Sequence, residues 1–318
     1  MAELLTVEGL TVGFRTDDGL AQVLDGASLT IGQGEVVGLV GESGCGKTTL
    51  ARAILGVLPT PPAQVGDGTI RFKGQDLLKF DRRRLTTEIR GRAITFIPQD
   101  PYGSFNPLFT VGAQIRDLAR WKAPKAGRER VIELLRQVQI PEPERALDKL
   151  PHEFSGGQRQ RLMIAMALLP EPDLIIADEP TTALDVTIQA QILKLLRDLV
   201  KDRGISVLLT THDLGTAWEI CDRISVLYAG QDMESAPTAR FFDHAAHQYT
   251  RALLASLPDP EGDIRDIPGE VPSLLSPPAG CRFHPRCVAA TDVCRTRPPI
   301  SSLAADHVLR CHHPAVTP

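Results

Sequence analysis

Residues 41–49 read GESGCGKTT, which fits the pattern G-x-x-x-x-G-K-[ST] with Gly41, Gly46, Lys47 and Thr48 at its fixed positions. Such a loop aims many backbone N–H groups at one polyphosphate, and glycine lets the chain approach the phosphates more closely than a Cβ would allow. Lys47 supplies a positive charge for the β- and γ-phosphates, and the Thr48 hydroxyl is a ligand for Mg²⁺. The rest of the loop is predicted to line the same site: Ser43, Gly44, Cys45 and Thr49.

The segments on either side of the loop support this interpretation. Residues 35–40 are predicted to form a buried strand, and residues 49–58 a helix that stops before Pro59. This strand–loop–helix order places the phosphates at the N-terminus of a helix, where the helix dipole favours anions. A glycine turn that arose by chance is the alternative, and the flanking strand and helix argue against it.

The composition is that of a soluble globular protein. The chain has 318 residues, of which 42% are hydrophobic, and its formal net charge is −4. We expect no membrane-spanning segment, because no apolar run approaches the ~18 residues required, and no signal peptide at the start. The negative net charge gives no support for nucleic-acid binding, which usually shows as a basic patch.

Hydrophobic spacing predicts the fold class. Alternating residues 4–14 and 21–31 predict two antiparallel strands, and shorter strands are expected at 68–73 and 93–97. The chain from 111 to 170 has the apolar spacing of helices and predicts an inserted helical region.

After this helical region, strands and helices alternate. Buried strands are predicted at residues 174–177 and 206–209, with an amphipathic helix over residues 188–204 between them. Strands that alternate with helices predict an α/β core with a mostly parallel sheet.

Two further patterns point to phosphate chemistry. The segment LIIADEP ends a strand in two carboxylates, of which Asp178 suits Mg²⁺ and Glu179 can polarise a water molecule. The segment FSGGQ, residues 154–158, opens a helix with Ser155 as N-cap, and its two glycines leave the first N–H groups uncovered. This predicts a second anion site more than 100 residues from the first.

The order GESGCGKT, Gln99, FSGGQ, LIIADEP, Asp185 and His212 resembles the nucleotide-binding subunits of ABC transporters over residues 3–235. The resemblance implies an α/β fold of the ABC-type P-loop NTPase class, with an antiparallel β subdomain and an inserted helical subdomain at about residues 100–170. It also implies a head-to-tail dimer, in which the phosphate loop of one cassette faces the FSGGQ helix of the other across ATP.

The resemblance also implies a role for each motif residue. Gln99 corresponds to the glutamine that contacts Mg²⁺ and water, Asp178 to the magnesium acid, Glu179 to the general base and His212 to the histidine that holds the γ-phosphate. Hydrolysis would then depend on positioning and charge neutralisation. The remaining assignments concern ATP and the dimer contact: Phe14 for adenine, Ser155, Gly156, Gly157 and Gln158 for the partner's ATP, and Asp185 for the dimer contact.

The end of the chain has a different character. Prolines are dense from Pro258 onward, and a domain boundary is expected between residues 230 and 260, giving a nucleotide-binding domain at 1–235 and an extension at 236–318. PGEVP and PPAGCRFHPRC within residues 268–287 resemble the tail of oligopeptide/dipeptide importer ATPases. A disordered proline-rich tail is the alternative.

This second resemblance implies an ATP-hydrolysing subunit of a di-/oligopeptide importer at the cytoplasmic face of the cell membrane. Its partners would be two permease subunits, a second ATPase subunit that is a non-identical paralogue, and an extracytoplasmic substrate-binding protein. Other substrates of the subfamily, such as nickel or opines, are an alternative that no residue of this chain decides. A soluble ABC ATPase and an exporter cassette are further alternatives.

Four of the six cysteines lie in the last 40 residues: Cys281, Cys287, Cys294 and Cys311. An ATP-using protein without a signal peptide is expected in a reducing compartment, which disfavours disulfides and favours a thiolate metal site. Four thiolates suit either Zn²⁺ or a [4Fe–4S] cluster, and their spacing leaves the choice open. The resemblance favours the cluster. A mixed zinc site with nearby histidines is the alternative, and Cys45 and Cys221 are expected to take no part.

Overall fold

A computed structural model describes residues 2–181, 184–257 and 266–315 of the chain. Its strands are β1 (Glu3–Thr16), β2 (Gly19–Gly32), β3 (Val36–Val40), β4 (Ala63–Val65), β5 (Thr69–Phe72), β6 (Gln75–Asp76), β7 (Ile94–Ile97), β8 (Leu174–Asp178), β9 (Ser206–Thr211), β10 (Arg223–Tyr228), β11 (Gln231–Pro237), β12 (Ile300–Ala304) and β13 (His307–Arg310). Its α-helices are α1 (Lys47–Leu55), α2 (Arg82–Arg84), α3 (Val111–Lys122), α4 (Arg128–Gln137), α5 (Pro143–Ala146), α6 (Gly156–Leu168), α7 (Val186–Arg203), α8 (Leu214–Ile220), α9 (Thr238–Asp243) and α10 (Gln248–Ala255).

The chain forms two compact units. The first contains residues 1–32, 37–78 and 211–318, and the second contains residues 33–36 and 79–210.

Two sets of strands make up the first unit. In the antiparallel set the order is β2-β1-β5-β6, and β4 also pairs with β1. The predicted strands 4–14 and 21–31 are confirmed, since β1 and β2 pair antiparallel with Leu5 opposite Ile31 and Phe14 opposite Ala21. In the second set β3 pairs parallel with β10, and β10 pairs antiparallel with β11.

Helix α1 follows the phosphate loop but is shorter than the sequence indicates. It ends at Leu55 and not at Leu58, because Gly56 takes a left-handed conformation with φ 62° and caps the last turn. The Gly56 N–H donates to the carbonyls of Ala53 and Arg52, which closes the helix. A glycine just past the last apolar position is the ordinary stop signal, and Pro59 is not the residue that ends this helix.

The second unit contains a parallel set of strands and most of the helices. β7, β8 and β9 lie side by side and are all parallel, with β8 buried along its whole length. Helices α3 to α6 lie between β7 and β8 in the chain, which agrees with the predicted helical insertion. Helix α7 ends before Gly204, which has φ 65° and forms the C-cap, as the sequence predicts.

The last part of the chain is more regular than its sequence suggests. β12 and β13 form a hairpin, and β13 pairs antiparallel with β11, so the sheet of the first unit continues into the extension. Both strands are short, and β12 has no buried residue, which leaves little apolar alternation for a sequence pattern to detect. The expectation that begins at Pro258 lies partly outside the described residues, because 258–265 and 316–318 are not among them.

The prediction of an α/β fold with an antiparallel β subdomain and a helical insertion is confirmed. Among the described residues, no helix combines the length and the hydropathy that a bilayer crossing requires.

Candidate functional site: a phosphate loop and its carboxylates

The phosphate loop requires glycine at two positions for reasons visible in the packing. Gly41 has φ 153°, and a Cβ there would lie 2.1 Å from the carbonyl oxygen of Leu227. Gly46 has φ 110°, and a Cβ there would lie 2.9 Å from Cδ2 of Leu24. Real Cβ atoms do not approach other atoms so closely, so any larger residue would displace the loop.

Lys47 is buried at the base of this loop. Its Nζ donates to the backbone carbonyls of Gly41 over 2.8 Å and Glu42 over 3.2 Å. Helix α1 begins at Lys47, and its N-cap, Gly46, provides no side-chain cap. A helix start of this kind presents backbone N–H groups and a positive dipole end to an anion.

Cys45 contributes its backbone to the loop. Burial raises the pKa of its thiol, although Lys47 opposes that shift, and the side chain is almost fully buried. Its carbonyl accepts a hydrogen bond from the Gly230 N–H over 2.8 Å. A neutral, buried thiol does not act as a nucleophile, so the residue stabilises the loop by packing.

The predicted acidic pair lies at the end of β8. Asp178 is the last residue of this strand, is 5% exposed, and accepts a hydrogen bond from the Thr210 hydroxyl of β9. Glu179 has φ 45°, a left-handed conformation that is uncommon for a residue with a side chain. Its N–H donates to the Thr210 carbonyl over 3.0 Å, which holds the backbone in this conformation.

Gln99 and Glu179 meet in the second unit. The amide nitrogen Nε2 of Gln99 donates to Oε2 of Glu179 over 3.0 Å. The parallel pairing of Ile97 with Ala177 explains the contact, since Gln99 and Glu179 each lie two residues beyond this pair. The structure therefore brings together two of the three predicted catalytic residues.

The FSGGQ segment forms the predicted helix start. The Gln158 N–H donates to the Ser155 hydroxyl over 3.3 Å, and the Ser155 N–H donates to the Gln158 side-chain oxygen over 3.0 Å. This reciprocal pair is a capping box, and the prediction of Ser155 as N-cap of α6 is confirmed. Glycine is also needed for packing, because a Cβ on Gly157 would lie 2.7 Å from Cγ2 of Ile188.

Asp185, His212 and Phe14 are the remaining predicted site residues. Asp185 caps α7 through a 3.0 Å hydrogen bond from the Ile188 N–H. His212 directly follows β9 and is exposed, and Phe14 lies half-buried in β1. Phe14, the phosphate loop and His212 belong to the first unit, whereas Gln99, Asp178, Glu179, the FSGGQ segment and Asp185 belong to the second.

The four tail cysteines lie close together. Burial raises the pKa of Cys281 to about 12, and the thiols of Cys287, Cys294 and Cys311 each add to that shift. The Cys281 N–H donates to the Cys294 carbonyl over 3.0 Å, and the His313 N–H donates to Sγ of Cys311 over 3.3 Å.

All six cysteines of the chain are free thiols in the structure. Within the described part of the chain, however, no three His, Cys, Asp or Glu side chains are arranged as a ready metal-binding set. The shared site of the four cysteines and the identity of any bound metal both stay predictions.

Two arginines of the tail were not predicted to have a special role. Arg282 and Arg286 lie in the RFHPRC segment and are both buried. Buried arginine is rare unless it is paired, so these residues have structural or functional partners that no spacing pattern indicates. The density of arginine and aromatic residues between two cysteines was the signal available.

Comparison with known proteins identifies the chain. The sequence profile described as "ABC transporter" matches residues 24–182, and the one described as "Oligopeptide/dipeptide transporter, C-terminal region" matches residues 233–294. This chain belongs to the ABC transporter family. It is an ABC-type ATPase of the branch that carries the oligopeptide/dipeptide C-terminal region.

Similar ABC proteins cover almost the whole chain. It is 44% identical to the dipeptide transport ATP-binding protein DppD of Bacillus subtilis, with 98% of this chain and 95% of the relative aligned. It is 41% identical to the oligopeptide transport ATP-binding protein OppD of Salmonella typhimurium, with coverages of 98% and 94%.

Solved ABC cassettes have a similar fold. A dimeric structure of the ATP-binding cassette MJ0796 in a post-hydrolysis state, bound to ADP and Pi, has a TM-score of 0.65 and 29% sequence identity. The alignment covers 74% of this chain and 98% of that cassette. The prediction of an ABC-type fold is thereby confirmed.

Proposed function

We propose that this chain is the ATP-hydrolysing subunit of an importer of di- and oligopeptides. The observation that carries the proposal is the presence, in one chain, of the ABC match at residues 24–182 and the oligopeptide/dipeptide match at residues 233–294. The relatives at 41–45% identity are named as peptide, dipeptide or oligopeptide import or transport ATP-binding proteins, which agrees with this assignment.

ATP binding is assigned to the phosphate loop. Lys47 is held at the loop by two carbonyls and can exchange these contacts for phosphate oxygens. The start of α1 supplies backbone N–H groups, with Thr48 in its first turn. We assign Phe14 to the adenine ring, to which the aromatic side chain of β1 would add a stacking surface.

The catalytic step is assigned to the carboxylates of β8. Thr48, Gln99 and Asp178 offer oxygen donors, which is the ligand chemistry that Mg²⁺ prefers, and the metal would neutralise phosphate charge. Glu179 would accept a proton from the attacking water, with its side chain held by Gln99 at 3.0 Å. His212 is assigned to the γ-phosphate.

The assembly follows from the same assignment. We place the FSGGQ helix start, with Ser155, Gly156, Gly157 and Gln158, against ATP on a second cassette, and Asp185 at the contact between the cassettes. The dimeric state of the related cassette MJ0796 supports a pair of cassettes. Two permease subunits, a non-identical ATPase paralogue and an extracytoplasmic binding protein complete the importer, at the cytoplasmic face of the membrane.

The transport assignment is tested by purifying the complex from its native membrane and identifying the proteins that co-purify with this chain. The reconstituted complex in proteoliposomes should hydrolyse ATP faster when peptide-loaded binding protein is present. A complex stimulated by a nickel- or opine-loaded binding protein, and not by peptide, would overturn the substrate class and leave the ATPase assignment intact.

For the tail we propose one [4Fe–4S] cluster on Cys281, Cys287, Cys294 and Cys311. The donor set fits, because four free thiols lie close enough to affect one another's pKa, and a backbone N–H donates to the sulfur of Cys311. The side chains would have to rearrange on binding, since the described arrangement is not a ready metal set. The cluster would stabilise the tail, and zinc is the alternative.

A further inference from the structure

A pair of charged side chains joins the cysteine-bearing tail to the phosphate loop. Arg286, which immediately precedes Cys287, forms a bidentate ion pair with Glu42, the second residue of the loop. Nη1 of Arg286 donates to Oε2 of Glu42 over 2.8 Å, and Nη2 donates to Oε1 over 3.3 Å. Both residues belong to the first unit.

Arg286 is fixed in place by several other partners. Its side chain is 5% exposed, and its guanidinium also donates to the Tyr228 hydroxyl over 3.1 Å and to the carbonyls of Pro268 and Ile267 over 2.9 and 3.0 Å. A planar guanidinium that satisfies this many acceptors has one orientation. The guanidinium of Arg286 therefore faces the loop in one fixed orientation.

Glu42 contacts both Arg286 and Lys47, the lysine of the loop. The Glu42 N–H donates to the Tyr249 hydroxyl over 3.1 Å, and the Glu42 carbonyl accepts from Nζ of Lys47 over 3.2 Å. The backbone and the side chain of one loop residue are thus both held, the side chain by the tail segment and the backbone by α10 and Lys47. A displacement of Arg286 would therefore move Glu42, and with it the carbonyl that accepts from Lys47.

The charge of Glu42 gives the contact a second consequence. A carboxylate in a loop that binds an anionic polyphosphate repels its ligand, and the repulsion is strong at short range where water is partly excluded. The Glu42 side chain is only 26% exposed. Arg286 cancels this charge, so the loop presents Lys47 to the phosphates without an opposing carboxylate.

We propose that Arg286 is a positioning residue for nucleotide binding, which orients and neutralises Glu42 and so links the cysteine segment to the ATP affinity of the loop. This inference rests on the proposed function only in that ATP binds at residues 41–49. The cysteine segment then has a role at the nucleotide site besides any metal that it holds.

The test compares ATP affinities of the full-length chain, measured by calorimetry without Mg²⁺ so that no hydrolysis occurs. Arg286→Ala should weaken ATP binding by about tenfold, because it leaves a partly buried carboxylate unpaired in the loop. Glu42→Gln should bind ATP about twofold to threefold more tightly, because the arginine charge then remains without its carboxylate. The double variant should return to within about threefold of the parent affinity, and Arg286→Lys should be intermediate.

The matched control is Arg295→Ala, in the same segment beside Cys294, whose arginine is exposed and pairs only weakly with the exposed Asp292 at 3.8 Å. It should leave the ATP affinity unchanged. Failure of Glu42→Gln to rescue Arg286→Ala would overturn the proposal and show that the arginine merely supports the fold. Equal affinities of the Arg286→Ala and Arg295→Ala variants would overturn it as well. The Lys47→Ala variant should bind no ATP. If the parent chain also bound no ATP, that result would instead contradict the proposed function.

Discussion

The side-chain amide of Gln99 donates a hydrogen bond to Oε2 of Glu179 over 3.0 Å, although the two residues lie 80 positions apart in the chain. They meet because β7 and β8 are parallel neighbours and each residue lies two positions beyond the paired residues Ile97 and Ala177. This hydrogen bond orients the carboxylate of Glu179. In the proposed role of Glu179 as general base, this orientation would reduce the reorganisation that the hydrolytic step requires.

Replacing Glu179 with Gln should stop turnover and preserve ATP binding. The substitution removes the proton acceptor but retains the side-chain oxygen that faces Gln99. Loss of a general base costs about 10²–10⁴ in rate, so steady-state ATPase activity of the assembled complex should fall by that factor. Glu171→Gln is the matched control, since this exposed glutamate pairs with Arg130 at the surface. Unchanged activity in the Glu179→Gln complex would contradict the assignment.

An acidic residue at Gly157 should prevent closure of the cassette dimer. A Cβ at this position would lie 2.7 Å from Cγ2 of Ile188 in the same chain, so Gly157→Asp alone would also disturb α7. In an Ile188→Ala background the local clash is relieved and the repulsion of the partner's phosphates remains. Binding of ATP to the variant's own loop should persist.

The measurement is ATP-dependent dimer formation by size-exclusion chromatography in the presence of the partner ATPase. Chains that carry Ile188→Ala alone should still dimerise, which separates packing from charge. If Gly157→Asp in this background abolishes ATP binding by the chain itself, the FSGGQ helix would belong to its own chain's site and not to the partner's.

The sequence allowed the fold class and the residues at the strand ends to be predicted, because both depend on local patterns. The run of apolar residues before Asp178 and the capping signal at Ser155 each identify an element and its end without any knowledge of tertiary contacts. The stop of α1 was placed three residues too late, because the sequence offers both Gly56 and Pro59 as signals and the structure uses the glycine.

Contacts between distant segments could not be predicted in this way. The ion pair of Glu42 with Arg286 joins positions 244 apart, and neither residue belongs to a pattern that names its partner. The hairpin of β12 and β13 forms because β11 offers an edge for pairing, a property of the assembled sheet that short, half-exposed strands do not encode locally. Such features follow from tertiary pairing.

Anaerobically purified chain should contain about four iron atoms and show the broad visible absorbance of thiolate-to-iron charge transfer. Cys294→Ser should lose this iron, because Cys294 is one of the buried thiols in the cluster of four. Cys221→Ser should retain it, since Cys221 packs against Gly38 in the first unit. A colourless chain with one zinc per molecule would contradict the iron–sulfur assignment and leave a four-cysteine site in place.

Arg282→Met should destabilise the first unit by about 3 kcal/mol, the usual cost of removing one partner from a buried charged network. The arginine is 1% exposed and its guanidinium donates to the carbonyls of Gln22 and Ala229, with Asp25 at 3.5 Å. Urea denaturation measures the effect. Arg295→Met, at an exposed position, is the control and should stay within about 0.5 kcal/mol of the parent. Equal losses in the two variants would contradict a structural role for the buried network.

The stability of the first unit should fall as the pH drops from 7 to 5, through the titration of His247. Burial lowers the pKa of His247 from 6.5 to about 4, although the carboxylate of Glu234 and the carbonyl of Arg310 oppose this shift. Nδ1 of His247 accepts the Tyr249 N–H over 3.0 Å and so caps α10, an interaction that requires the unprotonated nitrogen.

The unfolded chain binds a proton below pH 6.5 and the folded chain does not until about pH 4, so the unfolded state is favoured progressively across this interval. We expect a loss of about 2 kcal/mol from this residue at pH 5, read from urea denaturation midpoints at several pH values. His247→Asn keeps a side-chain oxygen for the Tyr249 N–H but does not titrate, so its stability should vary with pH by about 2 kcal/mol less than that of the parent. Parallel pH profiles for the two proteins would show that His247 is not the titrating group.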